Sequence, residues 1–299
     1  MRARQIAVAI LLNANLFSGS AHAEALGSFL ADPAQFHVIG DPDHGSLPHY
    51  GFRASDAFIA AVTAADIKKV FIEIPSKFQP LFDKIYHGAM DVDAFARAYH
   101  AGGARFTGVD GGDQLEAAKL TGEMAQKLAH FKIETIAFDT TGLIASDDGL
   151  PGGRLDPIYS CLLNEGAEAG RARDPLYEER LAQARWRERL AEDALIADEI
   201  KKAANGDKSV ILIGALHLAT GYALDRQMHA KSVVMFGIGE LQSYAIELHQ
   251  SANDLGLDAN RLPDGFLDIS DLEITSNIPE LPRIKSATGH WVGLCGAPS

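Results

Sequence analysis

Cysteine is scarce in this chain: there are two, Cys161 and Cys295, with no Cys-x-x-Cys, so the thiols point to no catalysis. They can pair in an oxidising compartment and tie down the C-terminal tail, or stay as two small buried hydrophobes. Positive charge is also short. Against 40 Asp and Glu stand 27 Lys and Arg, and the resulting net charge of −13 repels phosphate backbones, which argues against nucleic acid as a partner. No apolar run reaches the roughly 20 residues that span a bilayer, so no stable membrane insertion is expected. Familiar catalytic signatures are missing as well. There is no Gly-x-Ser-x-Gly elbow, no His-Glu-x-x-His helix, no Walker loop and no Gly-x-Gly-x-x-Gly after a strand, which removes support for the common hydrolase and nucleotide-binding routes.

What is present begins with an export signal. Arg2 and Arg4 precede an apolar run from Ile6 to Phe17, and Ala21-His22-Ala23 has the small-x-small form of a cleavage site. The expected mature chain starts at Glu24, is periplasmic or secreted, and is more acidic: losing Arg2 and Arg4 takes the charge from −13 to about −15. Hydrophobic residues make up 47% of the chain, ample for a buried core, and residues 24–299 read as one α/β domain.

Strands are expected at 37–40, 70–74, 104–109, 133–138, 210–213 and 232–236, with an edge strand within 266–274. Helices are expected after the capping residue Ser55, over 78–90, from Asp91 to His100, over 114–130, over 175–204 and over 221–229. Residues 24–36 form a lead-in, and residues 41–50, with two prolines and Gly45, a loop. The alternation predicts a central, largely parallel sheet flanked by helices. The Gly-, Asp- and Pro-rich residues 142–174 are expected to make an excursion over the site, with a short helix near 159–163, and residues 284–299 a surface tail.

Ionisable residues collect where strands should stop: Asp41, Asp43, His44 and His49 after the first, Glu73 in the second, then Asp110, Asp139 and His217. Ligands bind at the carboxyl ends of strands in open α/β sheets, so His44, Glu73 and His217 are candidates for one crevice. Glu73 is the most informative. It lies between Ile72 and Ile74 in a run apolar enough to be covered on both faces, where a carboxylate costs several kcal/mol unless it is paired or binds a metal. The alternative is that it turns outward at the strand mouth. His217, after Gly214-Ala215-Leu216, is either a satisfied core histidine or a group in a site that permits close backbone approach. Two imidazoles with carboxylates suit zinc, manganese or iron, with Asp41, His44, Glu73 and His217 as ligands. The same set without metal activates water by general base catalysis.

Gly40-Asp41-x-x-His44-Gly45, Glu73 after a hydrophobic strand, a long helix, and Gly214-x-x-His217 together resemble the superfamily of erythromycin esterases, ChaN-like haem-binding proteins and TraB/Tiki metalloproteases. The resemblance spans about residues 38–221. It implies an α/β fold in which His44, Glu73 and His217 meet with Asp41 adjacent. The family's long helix carries an Arg-Asp-x-x-Met-Ala-x-x-Ile pattern; here the frame is kept over 192–200, with Glu192 at the arginine position. Arg189, or Arg185, is then expected to supply the substrate or oxyanion cation, with Asp110 a further substrate-side candidate. The leading expectation is an exported hydrolase of ester or amide bonds in small molecules or peptides. The rivals are a haem-binding protein, with His44 or Tyr50 as axial ligand and Phe52, Phe78 and Tyr86 nearby, and a catalytically silent interaction protein.

Overall fold

The structure, a computed structural model, describes residues 20–42, 46–102, 113–139, 161, 170, 172, 177–218, 224–237, 264–270 and 274–275. The described residues form seven strands, β1 (Phe36–Asp41), β2 (Lys69–Pro75), β3 (Glu134–Asp139), β4 (Ser209–Gly214), β5 (Lys231–Phe236), β6 (Gly265–Asp268) and β7 (Ile274–Thr275). They form one sheet in the order β3-β2-β4-β1-β5-β6-β7. The first six run parallel, and β7 pairs antiparallel at the edge. β1 and β4 are buried along their whole length, as parallel strands covered on both faces are.

Side-chain alternation divides the core into two layers. Ile39, Val70, Ile72, Ile74, Val210 and Leu212 pack on one face against α1 (Ser20–Ala31), α2 (Leu47–Ala54), α3 (Asp56–Ala64), α4 (Gln79–Tyr86), α5 (Val92–Ala101) and α6 (Gln114–His130). Val38, Phe71, Ile211 and Ile213 pack on the other, against Ile196, Ala197, Ile200 and Ala204 of α7 (Tyr177–Ala204), Leu224 of α8 (Leu224–Gln227), and the 3₁₀ turn Ala215–Leu218. No described helix is long and apolar enough to cross a membrane.

Local chemistry accounts for the element ends. Ser55 Oγ accepts from the Phe58 N–H and Asp91 Oδ1 from the Ala94 N–H, opening α3 and α5 as their capping residues should. Asn205 and Gly206, both at positive φ, end α7. Lys69 Nζ then donates to the Ala203 and Ala204 carbonyls at 2.8 and 3.1 Å, tying that end to β2.

Five expectations change. Residues 47–50, expected in a loop, open the helix α2, because Pro48 sits in the first helical turn, where its missing N–H costs nothing. The expected helix over 78–90 runs Gln79–Tyr86 after a 3₁₀ turn, and Gly88 at φ 69° turns the chain away. The edge segment divides into β6 and the two-residue β7. α1 starts earlier than the expected lead-in and buries Leu26 and Leu30 in the core, and α8 spans only four residues, with His229 at positive φ just beyond it. The expected strand over 104–109, the tail over 284–299 and most of the 142–174 excursion lie outside the described residues. So do residues 1–19 of the signal segment.

Candidate functional site

β2, β4 and β1 are neighbours in the sheet, so the carboxyl ends expected to converge do lie side by side. Asp41 is the Cα partner of Gly214, and the Gly214 N–H donates to Glu73 Oε2 at 2.5 Å. β2 reaches this edge irregularly: its pairing with β4 stops at Ile72, and its register with β3 shifts between Ile72 and Pro75. Such irregularities re-aim a side chain beside a site, and this one brackets Glu73. The Glu73 side chain is 20% exposed, at the mouth of the edge.

His217 lies in the 3₁₀ turn that follows β4, and its side chain is 1% exposed. Nδ1 is hydrogen-bonded to Oδ1 of Asp193, a buried residue of α7. Nε2 faces Glu73 Oε1 at 3.5 Å, an ion-pair contact too long for a hydrogen bond, and has no hydrogen-bond partner among the described residues. Burial alone pulls the imidazole pKa down. The Asp193 charge and hydrogen bond, helped by Glu73, outweigh burial and raise it to about 9, so His217 is an imidazolium at neutral pH.

Gly40 makes room for this turn. A Cβ there would meet Leu218 Cδ1 at 2.7 Å and Ala215 Cα at 3.0 Å.

A second imidazole–carboxylate pair occupies the other face. Asp41 shares the parity of Ile39, which packs towards α2, whereas Glu73 shares that of Phe71, which packs towards α7. Asp41 Oδ1 is 2.7 Å from His49 Nδ1, and Oδ2 accepts from Arg53, whose guanidinium lies 5.2 Å from the Tyr50 ring centre. Asp41 and His49 are fully buried, and the Arg53 side chain is 14% exposed.

Of the residues singled out in the sequence, Glu73 and His217 meet. Asp41 stands on the adjacent strand end with its carboxylate held by His49 and Arg53. His44, Asp43 and Asp110 lie outside the described residues, as do the side chains of Asp139, Arg185, Arg189 and Glu192. Among the described residues no group of three or more His, Cys, Asp or Glu is arranged to hold a metal ion, so they do not by themselves make a metal site. Tyr50, Phe52 and Phe78 are buried in the core. Cys161 is disulfide-bonded, and Cys295 lies outside the described residues.

Asp193 and Arg53 were not among the candidates. Asp193 had a visible signal: a carboxylate three, four and seven residues before Ile196, Ala197 and Ile200, on the apolar stripe of an otherwise amphipathic helix. Arg53 had none, since the first half of the helix that carries it reads as a loop.

The fold and edge thus define an α/β protein with a mainly parallel sheet and a carboxylate–imidazole–carboxylate chain at the carboxyl ends of its strands. No family model matches the chain, and no curated protein matches it. Among solved structures it is similar to the type III effector HopBA1, at 13% identity and a TM-score of 0.39, over 71% of this chain and 82% of that one.

Proposed function

We propose that this protein is an exported hydrolase of ester or amide bonds, acting on small molecules or peptides. The observation that carries the reading is the chain Asp193–His217–Glu73, with Glu73 at the mouth and His217 buried directly beside it. Gly214 fixes one carboxylate oxygen of Glu73, and the other is turned towards His217. Glu73 takes a proton from water as that water attacks the carbonyl carbon. His217 Nε2–H donates to the oxyanion that forms, the task the resemblance gives to a helix arginine. As the intermediate collapses, Glu73 returns its proton to the departing alcohol or amine, so the site ends as it began. The motifs over Gly40–Gly45, Glu73 and Gly214–His217 support membership of the erythromycin esterase, ChaN-like and TraB/Tiki superfamily, and the amino-terminal signal pattern supports export.

The test is a panel of chromogenic esters and short peptides hydrolysed by the wild type, Glu73→Ala and His217→Ala. Loss of either acid–base group should lower kcat on the order of 10²–10⁴-fold. Hydrolysis that survives unchanged in both variants would sink the reading.

A further inference from the structure

We propose that Asp193 is the positioning residue of this site: it holds the His217 ring so that Nδ1–H points into α7 and Nε2 is the atom presented beside Glu73. The inference rests on the hydrolase reading and adds to it a residue from an element distant in sequence.

The argument starts from what Asp193 costs. Aspartate is a poor residue for a helix interior. Asp193 sits on the stripe that continues through Ile196, Ala197 and Ile200, all buried against the sheet. A carboxylate in such a place is destabilising unless a charged partner and hydrogen bonds compensate it. Its compensation is the bond to His217 Nδ1. An apolar residue would serve the packing of α7 better, so packing does not explain an aspartate here.

The bond instead decides which nitrogen faces the edge. An imidazole on a 3₁₀ turn can present either nitrogen by rotating about its ring axis, and a carboxylate at Nδ1 removes that freedom. Nε2 is left buried, without a hydrogen-bond partner among the described residues, and aimed at Glu73 Oε1 3.5 Å away. A substrate oxygen that enters beside Glu73 and comes within hydrogen-bond distance of Nε2 would complete the donor. Carboxylates that orient metal-ligating imidazoles in this manner are worth on the order of 10–100-fold in metal affinity or activity, and a loss of that order is expected here.

The experiment compares Asp193→Ala, Asp193→Asn and Asp193→Glu in the full chain, with thermal melts to show that each is folded. Hydrolysis is split into kcat and KM, and the histidine side-chain N–H protons are followed by NMR with ¹⁵N labelling. The expected result is a downfield Nδ1 proton in the wild type, absent from His217→Gln and from Asp193→Ala. With it should go a fall in kcat on the order of 10–100-fold at little changed KM, recovered in part by Asp193→Glu. A folded Asp193→Ala with wild-type kcat overturns the inference, as does one that keeps the downfield proton. If no ester or amide is hydrolysed by the wild type, the hydrolase reading falls and the NMR result alone decides. Loss of the proton in Asp193→Ala then upholds the positioning, and its persistence overturns it.

Discussion

His37 and His217 are both buried, yet they are pushed in opposite directions, because only one has carboxylates on its ring nitrogens. His37 lies on β1, edge-on to Phe29, with neither nitrogen hydrogen-bonded among the described residues. Burial, with the Lys208 charge, lowers its pKa to about 4. His217 is raised to about 9. The consequences for stability have opposite signs. For His217 the folded pKa lies above the unfolded value near 6.5, so its stabilisation is complete below about pH 6.5 and is lost as pH rises through about 9. For His37 the folded pKa lies below the unfolded value, so a penalty grows as pH falls from about 6.5 to about 4.

Asp225 opposes the acid limb. Burial raises its pKa to about 6, against the hydrogen bond from Ser232 Oγ, so its destabilisation of the fold shrinks over the same acid range. The informative measurement is therefore the difference between variant and parent in urea unfolding across pH 4 to 9.5. His37→Leu should flatten the acid limb relative to the parent. His217→Gln should flatten the alkaline limb and leave the acid one unchanged.

At the scale of elements, the site depends on how closely the turn after β4 sits on β1. Gly40 is the contact point, and Gly40→Ala would drive a methyl into Ala215 Cα, which is backbone and cannot swing aside as the end of Leu218 can. Overpacking of this kind costs about 1–3 kcal/mol, within what a domain of this size tolerates. The expected outcome is a folded protein with unchanged far-ultraviolet circular dichroism and a lowered melting temperature. Its hydrolysis should fall through displacement of His217, read as lower kcat. Unchanged kcat in a destabilised protein would show that the turn adjusts without moving the imidazole.

The same scale shows where sequence patterns run out. Strand cores such as Val38-Ile39, Val70 to Ile72 and Val210 to Ile213 are legible because β-branched and aromatic residues covered on both faces leave an unbroken apolar run. The helix α2 is not, because its proline, its glycine and its mixture of polar and aromatic residues in eight positions look like turn chemistry until Pro48 is recognised as an opening residue. Glu73 and His217 were legible as ionisable residues interrupting or ending apolar runs. Asp193 carried only its spacing to Ile196, Ala197 and Ile200 as a signal, within a 28-residue helix rich in charges whose sheet-facing side the sequence does not state outright.

For the molecule as a whole, the strand order places β4 between β2 and β1, and so places Gly214 between Glu73 and Asp41. Two imidazole–carboxylate pairs result, one over each face of the same edge. Their separation bears on metal dependence, because Asp41 is engaged by His49 and Arg53 on the face opposite Glu73. Dialysis of the purified protein against a chelator is expected to leave hydrolysis unchanged. Activity that is lost on dialysis and restored by zinc, manganese or iron would instead show that a metal is required, with His44 the first residue to test beside Glu73 and His217.

What the sequence determined by itself is set by local physics: apolar runs that must be buried, caps that open helices, and ionisable residues that cannot be left unpaired inside strands. Those rules specify an α/β chain with a mainly parallel sheet and mark Glu73 and His217. Only the tertiary structure decided which strand ends adjoin, which face each side chain takes at the edge, and that Asp193 closes on His217 from 24 residues away. Strand order and helix rotation are settled by packing summed over both layers of the core, and no local stretch of sequence carries that sum.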